Sequence, residues 1–216
     1  MKGFVVNNLL IVEGKSDKNI IESLIKHINN LNIKIENPIC NIDKCEALGG
    51  IGELKKKLNS LSRRIKQESI SKVGIIFDAD KVGVAQRETE IKNEIKSVFG
   101  ENPIIDFRIH ILNIDGYGEL EDILKKIVSN EPIMANCLNS WQECLKENRL
   151  DDKELNKLWI QVYQKYDCCN KEEQENMRDN CNDKILLEDK KIYDFNAELK
   201  ELNDLKEFLQ EIGEQK

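Results

Sequence analysis

The sequence predicts an α/β fold, a parallel sheet flanked by helices, and two features of its patterning carry the prediction. Continuous apolar runs at 9–12 and 73–77, the first in a predicted strand at 8–12, have the length and composition of strands that are buried on both faces. Each run is followed by a stretch whose apolar residues recur three and four positions apart, which is the spacing of a helix packed on a sheet. Strands that alternate with helices in this way form parallel sheets with right-handed connections.

The first two helices are predicted from start signals and apolar periodicity. We expect the first helix to begin at Ser16, a residue type preferred at the N-cap, and to end at Asn29-Asn30. A second strand is expected within 33–41, and the glycine-rich segment 49–52 opens the second helix. The apolar positions of that helix are Ile51, Leu54, Leu58, Leu61 and Ile65.

The alternation of strand and helix continues after the third strand. A helix is predicted at 83–99 and ends at Gly100, because glycine readily adopts the conformations that follow helices. A fourth strand is expected at 104–112, with partial polar alternation, and another helix at 119–128. We therefore assign residues 1–130 to one α/β domain.

The remainder of the chain has a different pattern. Residues 131–190 are rich in helix formers, and we expect a helical insertion or subdomain there. Trp141 and Trp159 lie on its apolar stripes, and we interpret both as core residues. Residues 191–216 are expected to close the α/β domain with a short strand or loop and a final helix.

Carboxylates follow two of the predicted strands. Glu13 comes directly after the first strand, and Asp78 and Asp80 follow the third. Ligand sites in open parallel sheets lie outside the carboxyl ends of the strands, so we expect these three side chains to meet there. Clustered carboxylates repel one another unless a cation joins them, and hard oxygen ligands favour Mg²⁺ or Mn²⁺. The sequence therefore predicts a metal site.

Asp17 has two interpretations at this edge of the sheet. It lies in the first turn of the first helix, near Glu13. One interpretation makes it a further metal ligand of the outer shell. The other makes it an ordinary helix-start acid, which interacts favourably with the helix dipole.

The segments that carry these acids resemble the TOPRIM domain of topoisomerases, bacterial primases, small maturation ribonucleases and overcoming-lysogenization-defect (OLD) nucleases. That family has a glutamate followed by glycine after its first strand, here Glu13-Gly14, and a D-x-D pair after a later strand, here Asp78-Ala79-Asp80. The resemblance covers the predicted α/β domain. It is closest to a group of small stand-alone TOPRIM-like proteins called DUF3226.

The resemblance implies a Mg²⁺-dependent phosphoryl-transfer enzyme that acts on RNA or DNA, most simply a nuclease. Asp78 and Asp80 would ligate the metal, and Glu13 would ligate it or transfer a proton. Glu121 is carried over as a further ligand, because the group often has a glycine, a leucine and an acidic pair where this chain has Gly118-Glu119-Leu120-Glu121-Asp122. Ordinary helix-start acids explain that segment nearly as well. By analogy with the family, the chain is also a candidate effector of antiphage defence.

Positive charge is concentrated in the second helix. Residues 54–72 carry seven Lys and Arg against one acid, Glu68, which fits either a solvated helix face or a nucleic-acid contact. The cations that we select as candidate nucleic-acid ligands are Lys15, Lys56, Arg63, Arg64 and Lys81.

The charge distribution supports a second hypothesis. The net charge is −7, but residues 1–130 carry 20 Lys and Arg against 19 Asp and Glu, whereas residues 131–216 carry 13 against 21. A near-neutral domain with a basic stripe can engage a phosphate backbone. Alternatively, the chain is a non-catalytic binding or assembly module whose acidic helical region docks a protein partner. A homo-oligomer also remains open.

Several classes are excluded by what the sequence lacks. It has no P-loop, no nucleophile elbow and no dinucleotide-binding glycine motif. Its length leaves no room for the additional domains of a topoisomerase or a primase. Neither a signal peptide nor a membrane-spanning run is evident, so we expect a cytoplasmic protein without membrane contact, in which the seven cysteines are free thiols.

Overall fold

A four-stranded parallel sheet forms the centre of the protein, which confirms the predicted α/β class. The computed structural model describes residues 7–28, 31, 33–36, 50–175 and 185–214. The strands lie in the order β2-β1-β3-β4, and all three neighbouring pairs are parallel. Their bounds are Asn7–Ile11 for β1, Ile33–Ile35 for β2, Ile70–Asp78 for β3 and Asp106–Leu112 for β4.

Eight α-helices are seen in the described ranges. They are α1 (Lys15–Ile28), α2 (Gly50–Glu68), α3 (Val84–Phe99), α4 (Leu120–Lys126), α5 (Ile133–Cys144), α6 (Asp152–Val162), α7 (Lys171–Glu175) and α8 (Lys200–Gly213). A 3₁₀ turn and two π-helical turns connect some of them, at Lys146–Asn148, Tyr163–Asp167 and Ile185–Asp189. Within the part of the chain described here, no helix is long and apolar enough to cross a bilayer.

The start of α1 differs from the prediction. The helix begins at Lys15, so Ser16 lies inside the first turn and the N-cap prediction is wrong. The helix start is capped by Asp17 instead. Its Oδ2 accepts a hydrogen bond from the Gly14 N–H at 2.7 Å and so satisfies a backbone donor that has no partner within the helix. The expected helix end at Asn29-Asn30 and the turn residue Gly49 lie outside the described residues.

The two faces of the sheet are buried in separate hydrophobic clusters. Side chains alternate along a strand, so Leu9 and Ile11 point to one face and Leu10 to the other. The first face packs against α2 and α3, as the periodicity of those helices predicts. The second face packs against α1, α4 and α8 and extends into the helical region after residue 131.

The helical region shares the core of the sheet. Trp159 on α6 is 3% exposed and belongs to the same cluster as Leu124 of α4, which confirms its core assignment. Trp141 is 42% exposed, so that assignment is wrong; of the residues in α5, only Ala135 is buried. The interface between α4 and α6 also contains Asn156, whose amide donates to Asp122 at 2.7 Å.

The segment after residue 191, expected to be a short strand or loop before a final helix, forms an isolated antiparallel bridge between Val128 and Tyr193 and is followed by α8. The prediction for the cysteines needs correction. Cys169 is disulfide-bonded, so the expectation of seven free thiols is wrong for this residue. Among the described cysteines, the free thiols are Cys137, Cys144 and Cys168.

Candidate metal centre

Asp78 is the last residue of β3 and lies at the carboxyl edge of the sheet. Its side chain is buried, and its Oδ1 accepts a hydrogen bond from the N–H of Leu120, the first residue of α4, at 3.1 Å. Burial raises the pKa of Asp78 well above its usual range, and the nearby carboxylates of Asp17 and Glu13 raise it further. A cation at this position would offset both effects.

Asp80 is held in place by its backbone and by two cations. Its φ of 49° lies in the left-handed region, and two backbone hydrogen bonds of 2.8 and 3.1 Å pair it with Gly118. Arg87 donates to Oδ2 at 2.7 Å and Lys153 donates to Oδ1 at 2.5 Å. Arg87 also donates to the backbone carbonyl of Asp78 at 3.0 Å, so this one guanidinium fixes both aspartates of the D-x-D pair.

Glu119 is the third carboxylate of the site. It is 2% exposed, and neither oxygen has a hydrogen-bond partner among the described residues. The Nζ of Lys153 lies 3.3 Å from Oε2, which is an ion-pair distance without hydrogen-bond geometry. Burial and the nearby Glu121 raise the pKa of Glu119 to about 7. Since the ammonium approaches only Oε2, a metal cation could satisfy the other buried oxygen, Oε1.

Carboxylate oxygens of Asp78, Asp80 and Glu119 all lie within 4.8 Å of one another, and we call these residues the carboxylate triad. Among the described residues, no other group of three or more Asp, Glu, His or Cys side chains brings its potential metal ligands this close together. All its donors are oxygens, which favours Mg²⁺ or Mn²⁺ over softer metals.

Glu13 lies beside the carboxylate triad but outside that group. Its Oε2 is buried and has no hydrogen-bond partner among the described residues. Its Oε1 faces the start of α2, so close that a Cβ added to Gly50 would lie 2.1 Å away. Burial, followed by the charges of Asp17 and Asp80, raises the pKa of Glu13. This unpartnered oxygen is free to bind a cation or a proton.

Asp17 and Glu121 complete a larger set of acids. Burial is the main cause that raises the pKa of each, and the charge of Asp17 also raises the pKa of Glu121. Neither belongs to the carboxylate triad, although Asp17 and Glu121 both raise the pKa of Asp78. Six carboxylates therefore influence one another here, and we call them the acidic cluster: Glu13, Asp17, Asp78, Asp80, Glu119 and Glu121.

Sequence reasoning missed three residues of the site. Glu119 lies in the acidic segment 118–122, from which the family resemblance selects Glu121 instead. Glu119 reaches the triad because it is the residue directly before α4. Arg87 lies one helical turn into α3, and Lys153 lies in the helical region, 73 residues from Asp80. No local pattern could have linked Lys153 to the aspartates.

The selected cations have varied surroundings. Arg64 donates to both oxygens of Glu36 at 3.0 and 3.1 Å and to both oxygens of Glu68 at 2.7 Å, which gives it a structural role after β2. Lys56 pairs with Glu53 at 2.6 Å, and Lys81 with Asp151 at 3.3 Å. Lys15 and Arg63 are exposed. Arg64 is therefore the least available of the five for a phosphate.

The raised pKa of Glu119 predicts how metal-free stability depends on pH. The folded pKa is about 7, against an ordinary value of 4.5, so the folded protein takes up a proton that the unfolded chain does not. The contribution of Glu119 to stability is therefore greatest below its ordinary pKa of 4.5 and is lost as the pH rises through 7. Between about pH 6 and about pH 8, Glu119 should lower the unfolding free energy by roughly 1 kcal/mol.

Urea denaturation of the wild type and of Glu119→Gln at both pH values measures this change. The comparison cancels His110, whose burial lowers its pKa to about 4 and whose stability contribution is lost as the pH falls. Equal pH slopes in the two proteins would contradict the prediction. Bound Mg²⁺ should reverse the wild-type trend, because the metal binds ionised carboxylates.

Comparison with known proteins gives one family match, which spans nearly the whole chain. A model of the DUF3226 family, described as a protein of unknown function, matches residues 7–213. No curated protein and no solved structure gives a significant match. The matched range includes the whole sheet, the acidic cluster, and the helical region that supplies Lys153. The chain therefore belongs to the DUF3226 family.

Proposed function

We propose that the protein is a Mg²⁺- or Mn²⁺-dependent nuclease of the TOPRIM type. The observation that carries the proposal is the carboxylate triad, whose oxygens lie within 4.8 Å of one another at the carboxyl edge of the sheet. The buried oxygens Oε2 of Glu13 and Oε1 of Glu119 have no hydrogen-bond partner among the described residues and fit a bound cation, because a protein rarely leaves such atoms unsatisfied. The all-oxygen donor set is typical of metal sites that bind phosphates.

The residues of the site have distinct roles in this proposal. Asp78, Asp80 and Glu119 would hold the metal, which when bound positions a phosphate and lowers the pKa of an attacking water. Glu13 accepts the proton of that water, since its Oε2 accepts no hydrogen bond from the described residues and burial raises its pKa. Arg87 keeps Asp80 oriented, through the 2.7 Å contact.

Several exposed cations can contact the nucleic-acid backbone. Lys81 follows Asp80 directly and its side chain is 76% exposed, and Lys15 is exposed two residues after Glu13. Both therefore stand at the rim of the acidic cluster, where a phosphate chain would have to pass. Arg63 is exposed but lies thirteen residues after Gly50 on α2, about 20 Å along the helix from the end that faces Glu13, so it stands apart from this contact.

A cleavage assay tests the proposal. The protein is incubated with Mg²⁺ or Mn²⁺ and with single-stranded RNA, structured RNA, duplex DNA and supercoiled DNA. The wild type should cleave at least one substrate, and Asp78→Asn and Glu13→Gln should each lower the rate by about 10²–10⁴-fold. Glu22→Gln on α1 is the matched control, because the Glu22 side chain is 44% exposed and pairs only with Lys18 among the described residues. Equal cleavage by wild type and Glu13→Gln would contradict the assigned proton acceptor.

The second candidate function is a binding or assembly module without catalysis. The observation that favours it is the set of large apolar side chains exposed on α5, namely Ile133, Met134 and Trp141. Exposed apolar groups of this size in an otherwise acidic region suit a protein partner. Failure of the wild type to bind Mn²⁺ or to cleave any of the four substrates would favour this function.

A further inference from the structure

Tyr117 is carried by a tight turn next to the carboxylate triad. Two backbone hydrogen bonds of 2.7 and 3.1 Å join Ile114 and Tyr117, and the two residues between them, Asp115 and Gly116, have φ values of 52° and 93°. Left-handed conformations at both central positions are typical of the tightest hairpin turns. The turn is therefore rigid, and it fixes the backbone from which the ring projects.

Three contacts fix this turn relative to Asp80. Gly118, the residue after Tyr117, makes both backbone hydrogen bonds to Asp80, and the Gly116 carbonyl accepts from Val84 N–H at 3.1 Å. The ring itself rests against Gly83, where an added Cβ would lie 3.0 Å from Cε1. Neighbouring Cα atoms are about 3.8 Å apart, so Tyr117 stands within one nucleotide of the triad.

The ring is nevertheless open to solvent. Tyr117 is 61% exposed, although its backbone is fixed on both sides. Among the described residues before 131, the exposed large hydrophobic side chains are Val82, Ile104 and Tyr117. Two of these three border the D-x-D pair. An aromatic ring held rigidly at the rim of a phosphate-binding site, with one face uncovered, is the arrangement that stacks on a nucleobase.

We propose, on the basis of the proposed nuclease function, that Tyr117 stacks on the base next to the scissile phosphate and thereby selects single-stranded or locally unpaired substrates. In a duplex both faces of every base are covered by neighbouring bases, so the ring has no partner there. In a single strand the base can turn onto the ring while its phosphate enters the triad. Lys81, exposed beside the same loop, would contact the next phosphate.

Binding of short labelled oligonucleotides in Ca²⁺ tests this inference. The probes are oligothymidine, oligouridine, a duplex closed at both ends by non-nucleotide linkers, and a single strand that consists of abasic nucleotides only. Tyr117→Ala and Tyr117→Leu should weaken single-strand binding roughly tenfold, and Tyr117→Trp should keep it, because stacking requires an aromatic ring. Binding of the duplex and of the abasic strand should not change, because neither presents a free base face.

The controls separate this inference from the nuclease proposal. Tyr166→Ala removes another exposed ring, 45% exposed on the turn after α6, and should bind every probe like the wild type. Stacking is refuted if Tyr117→Leu binds single strands as well as Tyr117→Trp, or if Tyr117→Ala weakens the abasic strand equally. In either case the nuclease proposal still holds if the wild type cleaves nucleic acid. A wild type that neither binds nor cleaves any nucleic acid would overturn both.

Discussion

Gly50→Ala is expected to lower metal-dependent cleavage by roughly a hundredfold or more while the protein stays folded. A Cβ at this position would lie 2.1 Å from Oε1, 2.6 Å from Cδ and 3.0 Å from Cγ of Glu13. Side-chain atoms do not approach one another so closely, so Glu13 must leave its position. The methyl group therefore displaces the proposed proton acceptor without changing any charge.

Gly52→Ala is the matched control for this substitution. Gly52 lies two residues further along α2, and a Cβ there meets no atom within 4 Å. Alanine is favoured over glycine inside a helix by about 1 kcal/mol, so Gly52→Ala should be at least as stable as the wild type and equally active. Cleavage rates, thermal melts and Mn²⁺ titration calorimetry compare the three proteins. If Gly50→Ala and Gly52→Ala behave alike, the position of Glu13 does not matter for the site.

Lys153→Met is expected to destabilise the metal-free protein and to be rescued by metal. The Nζ of Lys153 lies 2.5 Å from Asp80 and 3.3 Å from Glu119, so its removal leaves two carboxylates without their shared cation. Breaking a fully buried pair costs more, but this lysine is 39% exposed, and we expect a loss of about 2 kcal/mol. Millimolar Mg²⁺ or Mn²⁺ should restore most of it, because metal binds the folded state only.

Urea denaturation with and without metal measures both effects. Lys92→Met is the control, because Lys92 on α3 is exposed and its ion pair, 2.6 Å to Glu88, lies outside the acidic cluster. It should change stability little, and metal should stabilise it as much as the wild type. If metal raises the unfolding free energy of Lys153→Met no more than that of the wild type, the ammonium and the metal do not share the same carboxylates, and the metal-site assignment fails.

Local patterns in the sequence predict the sheet and place Glu13, Asp78 and Asp80 at its carboxyl edge. The apolar runs before Glu13 and Asp78 determine both the strands and the edge at which they end, so the position of these acids follows from strand burial alone. The position of Asp80 at this edge can be predicted for the same reason. Its left-handed backbone conformation cannot be predicted from strand burial.

The remaining features depend on tertiary contacts. Glu119 and Glu121 are two residues apart in one acidic segment, and only the point at which α4 begins decides which of them joins the carboxylate triad. Trp141 and Trp159 lie on similar apolar stripes, yet only α6 turns its tryptophan into the core. Lys153 reaches the site because α6 packs against α4. This packing cannot be predicted from the periodicity of either helix.

The docking of α6 on α4 makes the two parts of the chain depend on each other. A chain that ended after α4 would leave one face of the sheet only partly covered, because the cluster on that face also includes Trp159, Tyr163 and Leu209. It would also lack the ammonium that Lys153 places on Asp80. Neither part is therefore complete as a folding unit without the other, and a fragment that ends after α4 should be insoluble when expressed alone.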